Sequence, residues 1–259
     1  MTDGPLVQTG VAAGVATLTL DSPHNRNALS STLIGELVVG LGAAVADDTV
    51  RVIVLTHTGA VFCSGADLKE TAAAFSSGAV PAAKMGELLA TVWESPKPVV
   101  ARVGGPARAG GLGLIAAADI AVCAREATFA FTEVRLGVIP AVISATVLPR
   151  LVPRAAAELL LTGETFDGVR AAEVGLVTAA VPADELDAAV ARYTTSLVRG
   201  APAALAATKK LLRRTAARSI RDELTELTEV SVGFFTSAEG REGVNSFVER
   251  RDPAWVPRS

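Results

Sequence analysis

The sequence has 259 residues, half of them apolar, a net charge of −3 and two cysteines, Cys63 and Cys123. This length and composition predict one large globular domain or a core with a small appendage, and they exclude a disordered chain. The acidic balance argues against a nucleic-acid binder, and two cysteines are too few for a disulfide scaffold or a cysteine metal site. Because no export signal and no apolar run of the roughly 20 residues that span a bilayer stand out, we expect a reduced, cytoplasmic setting and no membrane partner.

The first half of the chain alternates strands with helices. In chain order we predict a strand at 15–21, a helix at 30–45 with Ser30 as N-cap, a strand at 50–56 buried on both faces, a short helix at 67–75, a helix from Pro81 to Glu94 and a strand at 98–103.

The second half begins with a glycine-rich loop at 104–113. After it we predict a buried helix at 114–118, strands at 120–123 and 128–131, helices over 142–161 broken near Pro153, a short helix at 165–173, a last strand at 177–181 and helices from Asp184 onward. We therefore expect a mixed α/β core at 1–182 and a C-terminal helical segment at 183–259.

Two strand–loop–helix corners stand out as candidate sites. In the first, Gly65 permits a tight turn and Ala66 lies at the start of the next helix, where backbone N–H groups have no helical partner. The second, ending in Ala109-Gly-Gly-Leu-Gly113, has the same character. Together the corners supply two N–H groups, which suit a developing negative charge on a thioester or amide oxygen. The alternative for either corner alone is a turn chosen for packing.

These stretches resemble the enoyl-CoA hydratase/isomerase (crotonase) superfamily. The resemblance runs in order along nearly the whole chain, and it is carried by Asn27-Ala-Leu29, Phe62-Cys-Ser-Gly-Ala-Asp-Leu-Lys69, Pro96-Lys-Pro-Val99, Ala109-Gly-Gly111, Asp119-Ile120, residues 129–140, Leu161-Thr-Gly-Glu164 and Glu173-Val-Gly-Leu-Val177.

The resemblance implies an α/β fold built as a spiral of ββα units, with the coenzyme A site in the core at 1–182 and a C-terminal helical segment at 183–259 that serves oligomerisation. It also implies an acyl-CoA thioester substrate, no cofactor beyond the coenzyme A of that substrate, and a homotrimer or dimer of trimers. Ala66 and Gly110 fall on the N–H donors of the oxyanion hole. The groove for coenzyme A would involve Arg26, Ala28, Ser64, Asp67, Leu68 and Lys69, with Phe247 and Arg250 reaching a neighbouring subunit's nucleotide.

Glu133 is the candidate acid. Its surroundings in sequence are apolar, and burial raises the proton affinity of a carboxylate, which suits a group that takes and gives a proton near neutral pH. The alternative is a structural glutamate paired with Arg135. The resemblance favours the first interpretation, because Glu133 matches the catalytic glutamate of the family.

The chain departs from the family pattern at Gly113, where hydratases with the full constellation carry a second glutamate. A second departure is the run Ala141-Val-Ile-Ser144, which replaces a glycine-rich stretch and is similar to that of methylglutaconyl-type hydratases. We therefore predict hydration of 2-enoyl-CoA to 3-hydroxyacyl-CoA. The alternatives are an enoyl-CoA isomerase with Glu133 as sole base, or a weakly catalytic acyl-CoA-binding subunit.

Other motifs point to no further site. His24 and His57 lack ligand spacing, so we expect no metal site. Ser64 lacks a nucleophile elbow, and the glycines at 111–113 do not follow a strand directly as a dinucleotide fingerprint requires. The apolar residues Leu186, Val190, Tyr193 and Leu197 recur at helical spacing, and we interpret them as a face for subunit contacts.

Overall fold

The computed structural model describes residues 4–67, 69–70, 82–213, 237–249 and 251–256. The strands in these ranges are β1 (Val7–Ala12), β2 (Val15–Leu20), β3 (Val52–His57), β4 (Val99–Val103), β5 (Ala107–Arg108), β6 (Ile120–Ala124), β7 (Thr128–Ala130), β8 (Phe166–Asp167) and β9 (Ala179–Val181).

The helices in the same ranges cover both predicted parts of the chain. They are α1 (Ser31–Ala46), α2 (Ala82–Glu94), α3 (Gly110–Ala117), α4 (Ala141–Val147), α5 (Pro153–Thr162), α6 (Gly168–Glu173), α7 (Leu186–Val198), α8 (Pro202–Leu212) and α9 (Ala238–Glu249). Short 3₁₀ turns lie at Pro23–Asn25, Glu133–Leu136 and Ala183–Glu185.

Two sheets organise the chain. The larger has the order β1-β2-β3-β4-β6-β9, in which β1 and β2 are antiparallel and the other neighbours are parallel. The smaller has the order β5-β7-β8. Isolated bridges that pair Leu29 with Ala66 and Cys63 with Ala107 connect the loops between these strands. The predicted α/β class is confirmed.

Three of the observed strands, β1, β5 and β8, were not predicted from the sequence, and each has a physical reason. β1 is an edge strand whose residues after Val7 are all exposed, so it lacks the apolar alternation of a half-buried strand. β5 and β8 have two residues each, too short for a period to show. Phe166 and Asp167, predicted to start a helix, form β8 instead, and Asp167 then caps α6 by accepting a hydrogen bond from Arg170 N.

Helices cover both faces of the large sheet. One face packs against α1, α2 and the fully buried α3. The other face presents the valines of β3, β4 and β6 to Leu186 and Val190 of α7, with Tyr193 and Leu197 partly buried beside them. Leu186 and Val190 are therefore unavailable for the subunit contacts expected of them, because they are buried on the chain's own sheet, whereas a role of the partly buried Tyr193 and Leu197 in such contacts stays a prediction. The division near Pro182 and the assembly role of the second part stay predictions.

Polar side chains fix the ends of α1. Ser30 accepts a hydrogen bond from Leu33 N, as predicted for an N-cap. At the other end Lys97 Nζ donates to Ala44 O and Asp47 O, at 2.8 and 2.6 Å, so a cation lies at the negative end of the helix. The loop before β4 therefore holds α1 against the sheet.

Candidate active site

Three loops meet at one edge of the large sheet. They follow β2, β3 and β4, which are parallel neighbours, so their carboxyl ends lie together. In open α/β sheets this edge is the usual place for ligands. The first two loops carry the 21–30 and 58–67 stretches, and the third leads into β5 and α3.

The first predicted corner is built by pairing two of these loops. Leu29 N donates to Gly65 O at 2.8 Å, and Asp67 N donates back to Leu29 O at 3.4 Å. Gly65 has φ of +92°, a conformation that strains other residues. Ala66 is exposed, and Asp67 Oδ1 accepts hydrogen bonds from Lys69 N and Glu70 N, as the residue before a helix does. Residues 68 and 71–75 of the helix predicted at 67–75 lie outside the described residues.

The second corner packs directly against the first. Gly110 is the first residue of α3, and Ala109 before it has φ of 46°. A Cβ built on Gly65 would lie 3.1 Å from Ala109 Cβ, and one built on Gly111 would lie 2.9 Å from Cys63 Cβ. Among the described residues none accepts a hydrogen bond from the N–H of Ala66 or Gly110. The structure thus brings two unpaired donors onto adjacent loops.

Glu133 follows the strand that pairs with the second corner. Ala109 N donates to Ala130 O at 3.2 Å, and Glu133 begins the 3₁₀ turn three residues later. Its Oε2 is buried, and no described residue donates to it. Burial raises the pKa of this carboxyl group above its usual range. Arg135, the alternative partner, donates to Thr162 O, so no Arg135–Glu133 pair is present.

Apolar side chains surround the second corner. A Cβ on Gly110 would lie 2.8 Å from Met85 Cε and 3.1 Å from Leu29 Cδ1. A Cβ on Gly113 would lie 2.6 Å from Ile143 Cγ2 and 3.4 Å from Leu89 Cδ1. The space beside Gly113 is therefore filled by Ile143. Ile143 belongs to the run Ala141–Ser144 in which the sequence departs from the family pattern. Met85 was not predicted as a site residue, since the sequence does not show which loop an apolar residue on a helix packs against.

Some of the residues expected along the coenzyme A groove lie where the 21–30 and 58–67 loops meet. Ser64 N donates to Arg26 O at 3.1 Å, Ala28 is buried beside them, and the side chains of Arg26 and Lys69 are exposed. Phe247 lies on α9, away in sequence from these loops. Leu68 and Arg250 lie outside the described residues.

The described part of the chain also bears on three other questions: whether it has a second groove, a metal site or a membrane span. A groove of about 640 Å³ runs between β1 and α1, but none of the predicted site residues lines it. Within the described residues no three His, Cys, Asp or Glu side chains are placed to hold a metal ion. No helix in that part of the chain is both long and apolar enough to cross a bilayer.

Known proteins resemble this chain along nearly its whole length. The family model described as enoyl-CoA hydratase/isomerase matches residues 10–258. The 2,3-dehydroadipyl-CoA hydratase of Escherichia coli is 30% identical over 245 residues, covering 94% of this chain and 96% of that protein.

Solved structures show the same fold. Pseudomonas aeruginosa AtuE superposes with a TM-score of 0.90 at 35% identity, covering 97% of this chain and 99% of the other. An enoyl-CoA hydratase from Mycobacterium avium has a TM-score of 0.75 at 45% identity, with coverage of 97% and 99%. A match across nearly the whole chain, with the crotonase fold, shows that this protein belongs to the enoyl-CoA hydratase/isomerase family.

Proposed function

We propose that the protein hydrates 2-enoyl-CoA thioesters to 3-hydroxyacyl-CoA, with Glu133 as the acid/base and the N–H groups of Ala66 and Gly110 as the oxyanion hole. One observation carries the proposal. A buried carboxylate with an unpartnered oxygen follows the strand that pairs with the second corner, and that corner packs against the first, so that both unpaired N–H groups and the carboxylate belong to one set of adjoining loops. Buried polar groups without a partner are rare in proteins, so a ligand is their natural partner.

The reaction needs only one proton carrier. Ionised Glu133 takes a proton from water as the water oxygen bonds to C3 of the enoyl group. The electron pair of the double bond moves toward the thioester oxygen, where two N–H groups stabilise the negative charge. Glu133 then gives the proton to C2, which completes the addition of water and returns the carboxylate to its ionised state.

Coenzyme A enters the proposal as part of the substrate, with no separate cofactor. Its binding is proposed to use the loop residues Arg26, Ala28, Ser64, Asp67, Leu68 and Lys69, together with Phe247 and Arg250 from a neighbouring subunit. Support comes from the pairing of residues 26–29 with residues 64–67, which gathers most of the loop residues at the sheet edge.

A second candidate is double-bond isomerisation, in which Glu133 carries a proton between two carbons of a 3-enoyl-CoA. The packing of Ile143 on Gly113 favours it, because the place of a second, water-holding carboxylate is occupied by an aliphatic side chain. Both reactions use the same oxyanion hole and the same carboxylate.

The test compares two substrates. Hydration of crotonyl-CoA removes the absorbance of the conjugated thioester, whereas isomerisation of a 3-enoyl-CoA creates it. Glu133→Gln keeps the size of the side chain and removes the proton carrier, so turnover on the better substrate should fall about 10²–10⁴-fold. Affinity for a saturated acyl-CoA should stay unchanged.

The outcomes separate the candidates. Turnover of only the 3-enoyl substrate would replace hydration by isomerisation. Binding of acyl-CoA without either reaction would leave a binding subunit, the third alternative. Near-native turnover by Glu133→Gln would remove Glu133 from the mechanism.

A further inference from the structure

Asn27 is a fully buried polar residue between two of the site loops. Its Oδ1 accepts from Ser22 N at 2.7 Å. Its Nδ2 donates to Thr58 O at 3.0 Å and to Val61 O at 2.8 Å. The side-chain amide thus ties the beginning of its own loop to the loop that follows β3.

The same two loops meet again a few residues further on, where Ala66 lies. There the contact is made by backbone bonds from Ser64 N to Arg26 O and from Leu29 N to Gly65 O, with a long bond of 3.5 Å from Ser64 Oγ to Asn25 O. Where the second loop begins, Thr58 Oγ1 also donates to Asp21 Oδ1 at 2.6 Å. The two loops are therefore attached at both ends, and Asn27 is the residue whose side-chain amide binds two carbonyl groups of the second loop and one N–H of its own.

The backbone at this point also suits asparagine. Arg26 and Asn27 have φ of 60° and 52°, two consecutive residues in the left-handed region. Asparagine tolerates this region better than most residues, and its amide offers two donors and an acceptor. Aspartate has the same shape but would turn an oxygen toward the two carbonyl groups of Thr58 and Val61.

We infer that Asn27 is a positioning residue for the thioester site: its amide sets the spacing between the 26–29 and 58–67 loops and thereby the location of the Ala66 N–H. The inference rests on the proposed function for the role of Ala66. Asn27 itself touches no reacting atom. It acts through the loop, and a displacement of the donor by about 1 Å is enough to slow a reaction about 100-fold.

The test measures how strongly the oxyanion hole, which includes the Ala66 N–H, polarises the carbonyl group of a bound thioester. A 2,4-dienoyl-CoA thioester absorbs at longer wavelength when its carbonyl group is polarised by hydrogen bonds, and at saturation this shift does not depend on affinity. In Asn27→Gly, which keeps the left-handed backbone and removes the amide, the shift should shrink. Turnover of the enoyl substrate should fall about 10–100-fold.

Ser95→Ala is the matched control. Ser95 is buried and exchanges hydrogen bonds with Lys97 O and Lys97 N, at the opposite end of β4 from the site. The Ser95→Ala variant should have a lower melting temperature than wild type, and its absorbance shift and turnover should equal those of wild type. Asn27→Asp provides a second variant, because it keeps the acceptor for Ser22 N and loses both donors.

The outcomes separate the role of Asn27 from the proposed function. A smaller absorbance shift in both folded Asn27 variants, with a wild-type shift in Ser95→Ala, supports the inference. An undiminished shift in a folded Asn27 variant overturns the inference, as does failure of both variants to fold where Ser95→Ala folds, since Asn27 then serves stability alone. A wild-type protein that neither shifts the bound dienoyl absorbance nor turns over an enoyl-CoA would instead defeat the proposed function.

Discussion

At the scale of single residues, the environment of Glu133 determines how it titrates. Its carboxylate is buried without a donor to Oε2 from the described residues, and burial raises its pKa. The ionised form is therefore disfavoured in the folded protein relative to the unfolded chain, where the pKa is near 4.5. The raised pKa suits a proton carrier, but it also means that ionised Glu133 lowers the stability of the folded protein.

Stability should consequently respond to pH through Glu133. The stabilising contribution of its raised pKa is fully present below the unfolded value and is lost as pH rises through the folded value. Glu133→Gln stays neutral, so the variant should match wild type in free energy of unfolding at pH 4 and be more stable at pH 8. Urea denaturation of both proteins across this range measures the difference. A gap that is constant with pH would contradict the raised pKa.

Gly113 and Ile143 form a second residue pair with a testable consequence. A Cβ on Gly113 would lie 2.6 Å from Ile143 Cγ2 and 2.9 Å from Ile143 Cβ, so Gly113→Ala should cost about 1–3 kcal/mol by overpacking. In an Ile143→Ala background the same change should cost less, because the contact with Cγ2 is gone, although the 2.9 Å approach to Cβ remains. A double-mutant cycle in urea measures the coupling. Additive effects would mean that the pair is not in contact.

The pair also predicts the outcome of restoring a second carboxylate. Gly113→Glu alone should not raise hydration of crotonyl-CoA, because Ile143 occupies the space. Combined with Ile143→Gly, which removes both Cγ2 and Cβ of residue 143, the new carboxylate should have room beside α4. A gain in hydration by the single variant would show that the space is open after all.

At the scale of elements, an ion-pair cluster fastens α8 to the sheet. Lys209 Nζ and Arg213 Nη2 lie 2.5 and 2.9 Å from the two oxygens of Asp119, which also accepts from Val99 N at the start of β4. Arg150 and Arg213 both place their guanidinium groups within 5 Å of the Trp93 ring centroid, at 4.9 and 4.7 Å. Burial lowers the pKa of Lys209, which the Asp119 carboxylate opposes.

Removing the Asp119 carboxylate from this ion-pair cluster should lower the free energy of unfolding substantially. Asp119→Ala leaves the buried Lys209 without its partner, and breaking a buried pair in this way costs about 3–5 kcal/mol of the free energy of unfolding. Glu158→Ala is the control, since its pair with Arg170 is exposed and should contribute about 1 kcal/mol or less. Urea denaturation compares the two. Equal losses would show that the Asp119 cluster behaves as a surface pair.

At the scale of the whole molecule, the surface carries large exposed apolar side chains. Leu136, Val138 and Ile139 follow Glu133 directly, and Leu148 and Val152 lie between α4 and α5. Exposed apolar side chains that lie together mark protein interfaces, and Leu136, Val138 and Ile139 are close neighbours in the sequence. Leu186 and Val190 of α7 are buried on the sheet, so the exposed groups near Glu133 are better candidates for subunit contacts than these two residues.

We expect a homotrimer or a dimer of trimers in solution. Light scattering coupled to gel filtration at micromolar concentration should report three or six times the mass of one chain. Ile139→Lys, at a residue 76% exposed, should weaken the assembly while leaving the fold of the chain intact by circular dichroism. A stable wild-type monomer would contradict the expectation.

The sequence by itself determined what depends on local pattern. β-branched runs predicted β3 and β4, and Ser30 predicted the start of α1, because strand period and helix capping depend on neighbouring residues. The apolar residues before Glu133 are buried as expected, but those at 136–139 after it are exposed, so the local sequence indicated the burial of the carboxylate only in part. Only the tertiary structure decided which distant residues meet. That Ile143 fills the space at Gly113, that Asn27 bridges two loops, and that α7 covers its own sheet depend on contacts between residues about 30 to 140 positions apart, for which a single sequence carries no signal.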